Sequence, residues 1–394
     1  MAAPDTTVKY FHSGMSGAPV LSGTAGALIA VLDACLVNGF GSITLDSLVV
    51  AGGIATATRS AGQLFEKGAV VLVAGATPAE LNGQKRTLSI SGTQFTFDAT
   101  GISDQTATGT IAVKLAPAGW EKQYSGTNLA AYRSLDAAST HAVLRVDDTA
   151  TKNARVVGYE SMTDVNSGTF PFPTATQQAG GLYWGKSQAA DATARKWIVI
   201  ADARAVFVCL SDNSATAETV SSYFFGDAVA LKPADAYSAV LVGPTSDQMG
   251  SGAQGAVNGN IFFPGSTGMF LQRDATGLST SFATSNRAVG GGGGNPFGVG
   301  SGTSGTFPTY PSNVHGSVIG SAMVFAEGVG AQSDWRHYIP GVQYLQTSFL
   351  SGVFPSKTKF AAEGSMAGRT LYCLEFSGVT PSARAMIDIT GPWR

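Results

Sequence analysis

VVLVAGATPAELNGQKRTLSISGTQFTFDATGISDQTATGTIAV, residues 70–113, decides the fold class. Short apolar runs alternate in it with turn residues, and no run is long enough for a helix. Strands are predicted at 69–73, 85–90, 94–97 and 109–114. Lys67-Gly68, the stretch from Pro78 to Gly83, and Ser91-Gly92 supply the connections, because Gly, Pro and Asn favour the dihedrals of tight reversals. Immediately upstream, strands at 48–50 and 54–58 flank Ala51-Gly52-Gly53, a hairpin turn. Such a run of short strands makes a small antiparallel barrel or sandwich over 42–117.

The β pattern continues downstream. Segments 142–146 and 154–159 pair across 147–153, and 197–201 and 206–210 pair across Asp202-Ala203-Arg204. Short aromatic strands follow at 181–184 and 223–225, and further strands at 239–242, 318–325, 352–354, 370–376 and 385–389. A Gly-rich loop is expected at about 283–313, around the run Gly290–Gly294, since consecutive glycines carry too much conformational entropy to pack a core. The fold class is mainly β: several antiparallel β-sandwich or barrel domains with one N-terminal helix. The divisions are 1–41 (arm and apolar helix), 42–117 (small β domain) and 118–394 (larger β-sandwich region).

The helix lies in KYFHSGMSGAPVLSGTAGALIAVLDACLVNGFG, residues 9–41. Leu28, Leu32 and Leu36 recur every four residues, Ser22 or Thr24 can cap the start, and Asn38-Gly39 supplies a left-handed stop. It is apolar on most faces and so is expected to be buried on several sides. The Gly/Ser/Pro-punctuated arm before it carries Tyr10, Phe11 and Met15. Two partners are open to arm and helix: the chain's own β domains, or a neighbouring subunit, which the arm favours. Trp393, near the last residue, is a further docking group. Tyr10, Phe11, Met15, Leu28, Leu32, Leu36 and Trp393 are therefore the candidate assembly contacts.

Composition narrows the function classes. Charged residues make up 13% of the chain, about half the usual fraction, and there are 50 glycines. Secreted β proteins and subunits of large assemblies have this character more often than monomeric enzymes do. Net charge is −2 with no basic block, which argues against nucleic acid as a partner. Cys35, Cys209 and Cys373 each sit in an apolar run and read as buried free thiols. The apolar segment is too short and too far along the chain for a signal peptide or a membrane span, so synthesis in the cytoplasm is expected.

Searches for chemistry return ordinary structure. Gly250-Ser-Gly252-Ala-Gln-Gly255 fits a dinucleotide fingerprint but lacks the strand before and the helix after. Asp147-Asp148 reads as a hairpin turn rather than a metal site. His12, His141, His315 and His337 are scattered without ligand spacing. No catalytic, cofactor-binding or metal-binding residue is assigned. Tyr183-Trp184 and Tyr223-Phe224-Phe225 could stack sugar rings, but core packing is the favoured reading.

Three stretches together resemble a family of virion structural proteins of tailed bacteriophages. They are residues 9–41; residues 70–113 running into APAGWEKQYSGTNLAAYRS at 116–134; and SSYFFGDAVALKPADAY at 221–237. The middle unit is also similar to the small β-barrel inserts of phage tail and baseplate proteins. The resemblance carries no catalytic residues. It implies assembly into the particle, among other copies of itself and neighbouring virion proteins in a symmetric homo-oligomer, without saying where. The first reading is a non-enzymatic component of the tail tip or baseplate. The alternatives are a capsid decoration or cement protein, and a tail module that binds host-surface glycan.

Overall fold

In the computed structural model, residues 4–211, 221–247, 261–262, 268–288, 320–327, 334–345, 354–376 and 383–394 are described. The chain is mainly β, and the described residues form four antiparallel sheets. The eight strands from Phe40–Thr44 to Ala112–Leu115 pair only with one another. Phe40–Thr44 lies at one edge of this sheet but runs on into Ser47–Ala51 near the other, so the sheet curls into a half-barrel. Its interior is filled by Leu48, Val71, Val73, Phe95, Phe97 and Val113.

The second sheet is a meander of Trp120–Gly126, Leu129–Ser134, Val143–Asp147, Asn153–Asp164 and Ser167–Phe172, with Leu182–Gly185 also on Asn153–Asp164. The third runs Lys9–His12, Lys196–Ala201, Ala205–Ser211, Ser221–Asp227, Ala239–Val242, Met269–Leu271 and Phe282–Ala283. The fourth holds Ser285–Ala288, Ser321–Glu327, Asp334–Leu345, Ala383–Asp388, Thr370–Phe376 and Lys359–Ala361, with Val229–Ala230 beside Asp334–Leu345.

The third sheet is the middle layer. Trp197, Val199, Val206, Val208 and Leu210 face the core shared with the helix, half-barrel and meander. Ile198, Ile200, Phe207 and Cys209 face the fourth sheet. Burial on both faces explains why WIVIA and AVFVCL read as unbroken apolar runs rather than alternating ones. All three cysteines are buried free thiols.

The arm packs against its own chain. Lys9–His12 pairs with Lys196–Ala201, Trp197 Nε1 donates to the Pro19 carbonyl at 3.0 Å, and Leu21 bridges to Arg195. Deleting residues 1–40 would thus remove part of the core. The helix, Ala27–Leu32, starts at Gly26 rather than at a hydroxyl cap: Ser22 and Thr24 bond each other at 2.9 Å instead. Asp33–Asn38 continues it as a wider π turn. Tyr132 Oη holds that turn, 2.8 Å from Asp33 Oδ1 and 3.3 Å from the Ile29 carbonyl, and such an insertion into the helical ladder commonly bends it. Ala118 and Gly119 N–H groups satisfy the carbonyls of Cys35 and Leu36. Gly39 (φ 68°) ends the helix as anticipated; a Cβ there would fall 2.1 Å from the Leu115 carbonyl oxygen, so only glycine fits.

Several strands were not foreseen. Lys9–His12 needs its partner to be recognised, and Trp120–Gly126 carries too many charges to show a pattern. Ser167–Phe172 contains Pro171, which an edge strand tolerates because no N–H is required on its open side. Of the expected Gly-rich loop 283–313, residues 283 and 285–288 belong to strands; the part from 289 on, with Gly290–Gly294, lies outside the described residues, as do the 250–255 motif and His315.

Candidate functional site

Two clefts lie where the arm, the half-barrel and the fourth sheet meet. Two hollows, of about 800 and 850 Å³, share Tyr10, Glu66 and Lys359 in their walls. Period-two geometry puts Phe11 on the core face of the arm strand and turns Tyr10 and His12 to the cleft. Glu66 comes from the half-barrel, just before Val70–Ala74, and Lys359 and Tyr372 come from adjacent strands of the fourth sheet.

These groups satisfy one another. His12 Nδ1 accepts the Gly14 N–H at 3.1 Å, so the ring proton sits on Nε2, which donates to Glu66 Oε1 at 2.7 Å. Glu66 Oε2 receives Lys359 Nζ at 3.1 Å. The hydrogen bond from His12, with Lys359 assisting against burial, holds the Glu66 carboxyl down at about 2. Lys359 Nζ lies 4.7 Å from the Tyr10 ring centroid, and the Tyr10 and Tyr372 rings are 4.9 Å apart with their hydroxyls hydrogen-bonded. Burial raises the Tyr10 phenol far above its ordinary value and pushes Tyr372 up to about 12. Both ring nitrogens of His12 and both oxygens of Glu66 are thus engaged within the chain. Chemically the arrangement is a clasp joining three structural units.

One residue binds the two ends of the chain beside this clasp. Arg86, on Gly83–Ile90, spends its donors on backbone carbonyls: Asp5 at 2.6 Å, Val8 at 3.1 Å, Gly68 at 2.7 Å, Ile389 at 3.3 Å and Thr390 at 2.8 Å. Beyond it, Arg394 reaches Asp202 and the Asp227 carbonyl.

A third arrangement sits at the helix. Asp148 Oδ2 accepts the N–H groups of Leu28 (2.7 Å) and Ile29 (3.2 Å), which the first helical turn leaves without internal partners. Asp148 Oδ1 meets Lys186 Nζ, which also donates to the Thr24 carbonyl at 2.7 Å. Both side chains are 0% exposed, and burial pushes the Asp148 carboxyl up against the opposing pull of these donors. Asp147 behaves as the turn residue anticipated, accepting from Thr149 Oγ1 at 2.7 Å.

A fourth cluster joins Arg336 to Asp235 (3.0 and 3.1 Å) and Glu327 (2.9 Å), with His337 Nε2 on Asp235 Oδ2 at 2.9 Å. Burial lowers the His337 pKa against the opposing pull of Asp235. His141 lies elsewhere, in the left-handed region (φ 57°) with Nδ1 3.4 Å from the Ser134 carbonyl.

The seven candidate assembly residues all contact the chain's own body. Phe11, Leu28, Leu32 and Leu36 are at most 1% exposed and Met15 is 7% exposed. Phe11 packs 5.7 Å from the Phe40 ring. Trp393 Nε1 donates to the Asp388 carbonyl at 2.8 Å, and its ring meets Phe207 edge-on at 5.6 Å. Gly341 leaves room for that ring: a Cβ there would lie 2.3 Å from Trp393 Nε1. Of the seven, Tyr10 and Met15 line the first hollow, Tyr10 the second, and Trp393 a smaller cleft on the fourth sheet. The preference for a neighbouring subunit gives way to packing within the chain. The aromatic strands pack in the core as favoured: Trp184, Tyr223, Phe224 and Phe225 are all 0% exposed and Trp184 stacks on Tyr223 at 5.6 Å. Tyr183 is partly exposed, with the Arg155 guanidinium 3.8 Å from its ring.

Reading the sequence did not single out Arg86, Glu66, Lys186, Lys359 or Tyr372. Lys186, directly after the aromatic strand Leu182–Gly185, carried the one legible signal: an ammonium group adjoining an apolar run needs a partner. Among the described residues no group of three or more His, Cys, Asp or Glu is placed to hold a metal ion, and no helix is long and apolar enough to cross a membrane. No protein-family model matches the chain, and no curated protein matches it either.

Proposed function

We propose that this chain is a non-enzymatic structural component of a tailed-phage virion, made in the host cytoplasm and built into the tail tip or baseplate as a homo-oligomer. The observation that carries the non-catalytic part is the mutual satisfaction of the cleft groups. His12, Glu66, Lys359, Tyr10 and Tyr372 bind one another, and Arg86 spends its donors on carbonyls from both ends of the chain. Polar groups used this way lock a body together; they offer a substrate neither a free base nor a free nucleophile. The placement in a virion rests on the resemblance of residues 9–41, 70–134 and 221–237 to phage structural proteins, with the low charge in support.

With the arm and helix packed internally, contacts with neighbours fall to the outer surface. Phe170 and Leu278 are 45% and 89% exposed; Arg273 stacks on the Phe170 ring at 4.2 Å and donates at 2.9 Å to the carbonyl of Gly277, the residue before Leu278. Exposed apolar groups beside an ordered Arg suit an assembly contact. The test is quantitative mass spectrometry of purified particles. A tail component is present at a few to tens of copies per particle by rotational symmetry, and a capsid decoration, the second reading, at roughly hundreds. Absence from particles removes both.

A further inference from the structure

We propose that Lys186 and Asp148 condense into an intramolecular amide, a covalent crosslink between the strand ending at Gly185 and the hairpin loop that caps the helix. This pair differs from the other Lys–carboxylate contacts among the described residues. Two other Lys–carboxylate contacts remain wet, with side-chain exposures of 27% and 20% for Lys122–Asp33 and 34% and 39% for Lys359–Glu66. Lys186 and Asp148 are both 0% exposed. A buried ion pair carries a desolvation cost that its mutual attraction only partly offsets, and an amide abolishes both charges.

The surroundings meet the requirements of the reaction. Lys186 Nζ is in contact with Asp148 Oδ1, so nucleophile and electrophile are already held together. The other oxygen, Oδ2, receives the Leu28 and Ile29 N–H groups at 2.7 and 3.2 Å. Two backbone donors on one carboxyl oxygen polarise Cγ and stabilise the negative charge that develops there in a tetrahedral intermediate. Burial favours the uncharged carboxyl, the form that can lose water.

The step balances without a co-reactant. One proton passes from the Nζ ammonium to Oδ1, leaving a neutral amine beside a neutral acid. The Nζ lone pair attacks Cγ, and the Nζ–Cγ bond forms. A second Nζ proton moves to Oδ1, the Cγ–Oδ1 bond breaks, and Oδ1 leaves as water. Nothing is oxidised or reduced. The remaining amide N–H can keep the Thr24 carbonyl, now 2.7 Å from Nζ, and the amide oxygen keeps Leu28 and Ile29, so the polar atoms of the product have partners already in place.

Intact-mass spectrometry of the purified full chain, allowing for loss of Met1, tests this directly. The expected mass is below the sequence mass by one water, about 18 Da. Trypsin should release residues 146–152 joined to 156–195, with no cleavage after Lys186. Lys186→Arg should restore the full mass. Asp148→Asn should lose ammonia instead and reach the same final mass as the crosslinked parent. A parent chain at its full sequence mass, cleaved normally after Lys186, overturns the proposal. So does a water deficit that persists in Lys186→Arg, which would place the dehydration elsewhere.

Discussion

Arg86 Nη2 donates to the carbonyl oxygen of Thr390 at 2.8 Å, although 304 residues separate the two in the chain. The same guanidinium reaches Asp5 and Val8, so both ends of the described chain are tied to one strand of the half-barrel. Backbone carbonyls at such a junction need donors, and only a planar five-donor group can serve several at once.

Arg86→Ala should therefore destabilise the chain by roughly 2–4 kcal/mol, the cost of leaving several partly buried carbonyls unmatched. Urea unfolding measures this. Arg86→Lys should recover little, since an ammonium cannot span acceptors on both sides. Limited proteolysis of either variant should cut first at residues 4–15 and 389–394. Equal stability and protection of parent and Arg86→Ala would refute this role of Arg86.

Lys9 gives a pH-dependent prediction of definite sign. Its side chain is 5% exposed, and burial lowers its pKa from 10.5 to about 8. The unfolded chain thus holds this proton more tightly, so the contribution of Lys9 to stability is at its lowest below pH 8 and rises as pH climbs from about 8 to 10.5. Lys9→Met should be more stable than the parent at pH 7, by on the order of 2 kcal/mol, with the gap closing across that window. Comparing the two proteins cancels the opposing titration of buried Tyr and Cys. A gap that stays constant with pH would contradict the assignment.

Glu66 predicts the opposite end of the scale. Its carboxyl is depressed from 4.5 to about 2, so the stability it contributes is present above pH 4.5 and is lost as pH falls through about 2. The side chain is 39% exposed, so solvent screening keeps the effect modest. In thermal melts, Glu66→Gln should be less stable than the parent at pH 7, and the two should converge below about pH 2. Parallel curves from pH 7 to 2 would show that the His12 contact contributes nothing.

At the surface, Leu278→Asp and Phe170→Ser should leave the melting temperature within a few degrees of the parent, as exposed substitutions usually do. Both should reduce incorporation into particles several-fold if this patch meets a neighbour. Normal incorporation would move the contact elsewhere.

The fold was legible where local chemistry decides it. The hairpin across Asp202–Arg204 and the strands from Ser47–Ala51 to Gln94–Asp98 follow from turn residues and short apolar runs. The helix stop at Gly39 follows from its left-handed backbone. Long-range choices were not legible. Nothing local tells that Asp148, rather than Ser22 or Thr24, caps the helix 120 residues upstream, or that Arg86 gathers both chain ends. An arm reads the same whether its aromatics meet a neighbour or its own sheet; only the register of Lys9–His12 on Lys196–Ala201 separates the two. The candidate site was the least visible part, because Glu66, Lys359 and Tyr372 are distant in sequence and ordinary in type.

The most direct measurement of the central claim is the copy number of this chain in gradient-purified particles, set against the major capsid protein. A tail component should be present at roughly a few to tens of copies per particle, in a whole-number ratio fixed by the rotational symmetry of the tail. Its absence from purified particles would contradict the assignment to the virion, and hundreds of copies would move it from the tail to the capsid surface.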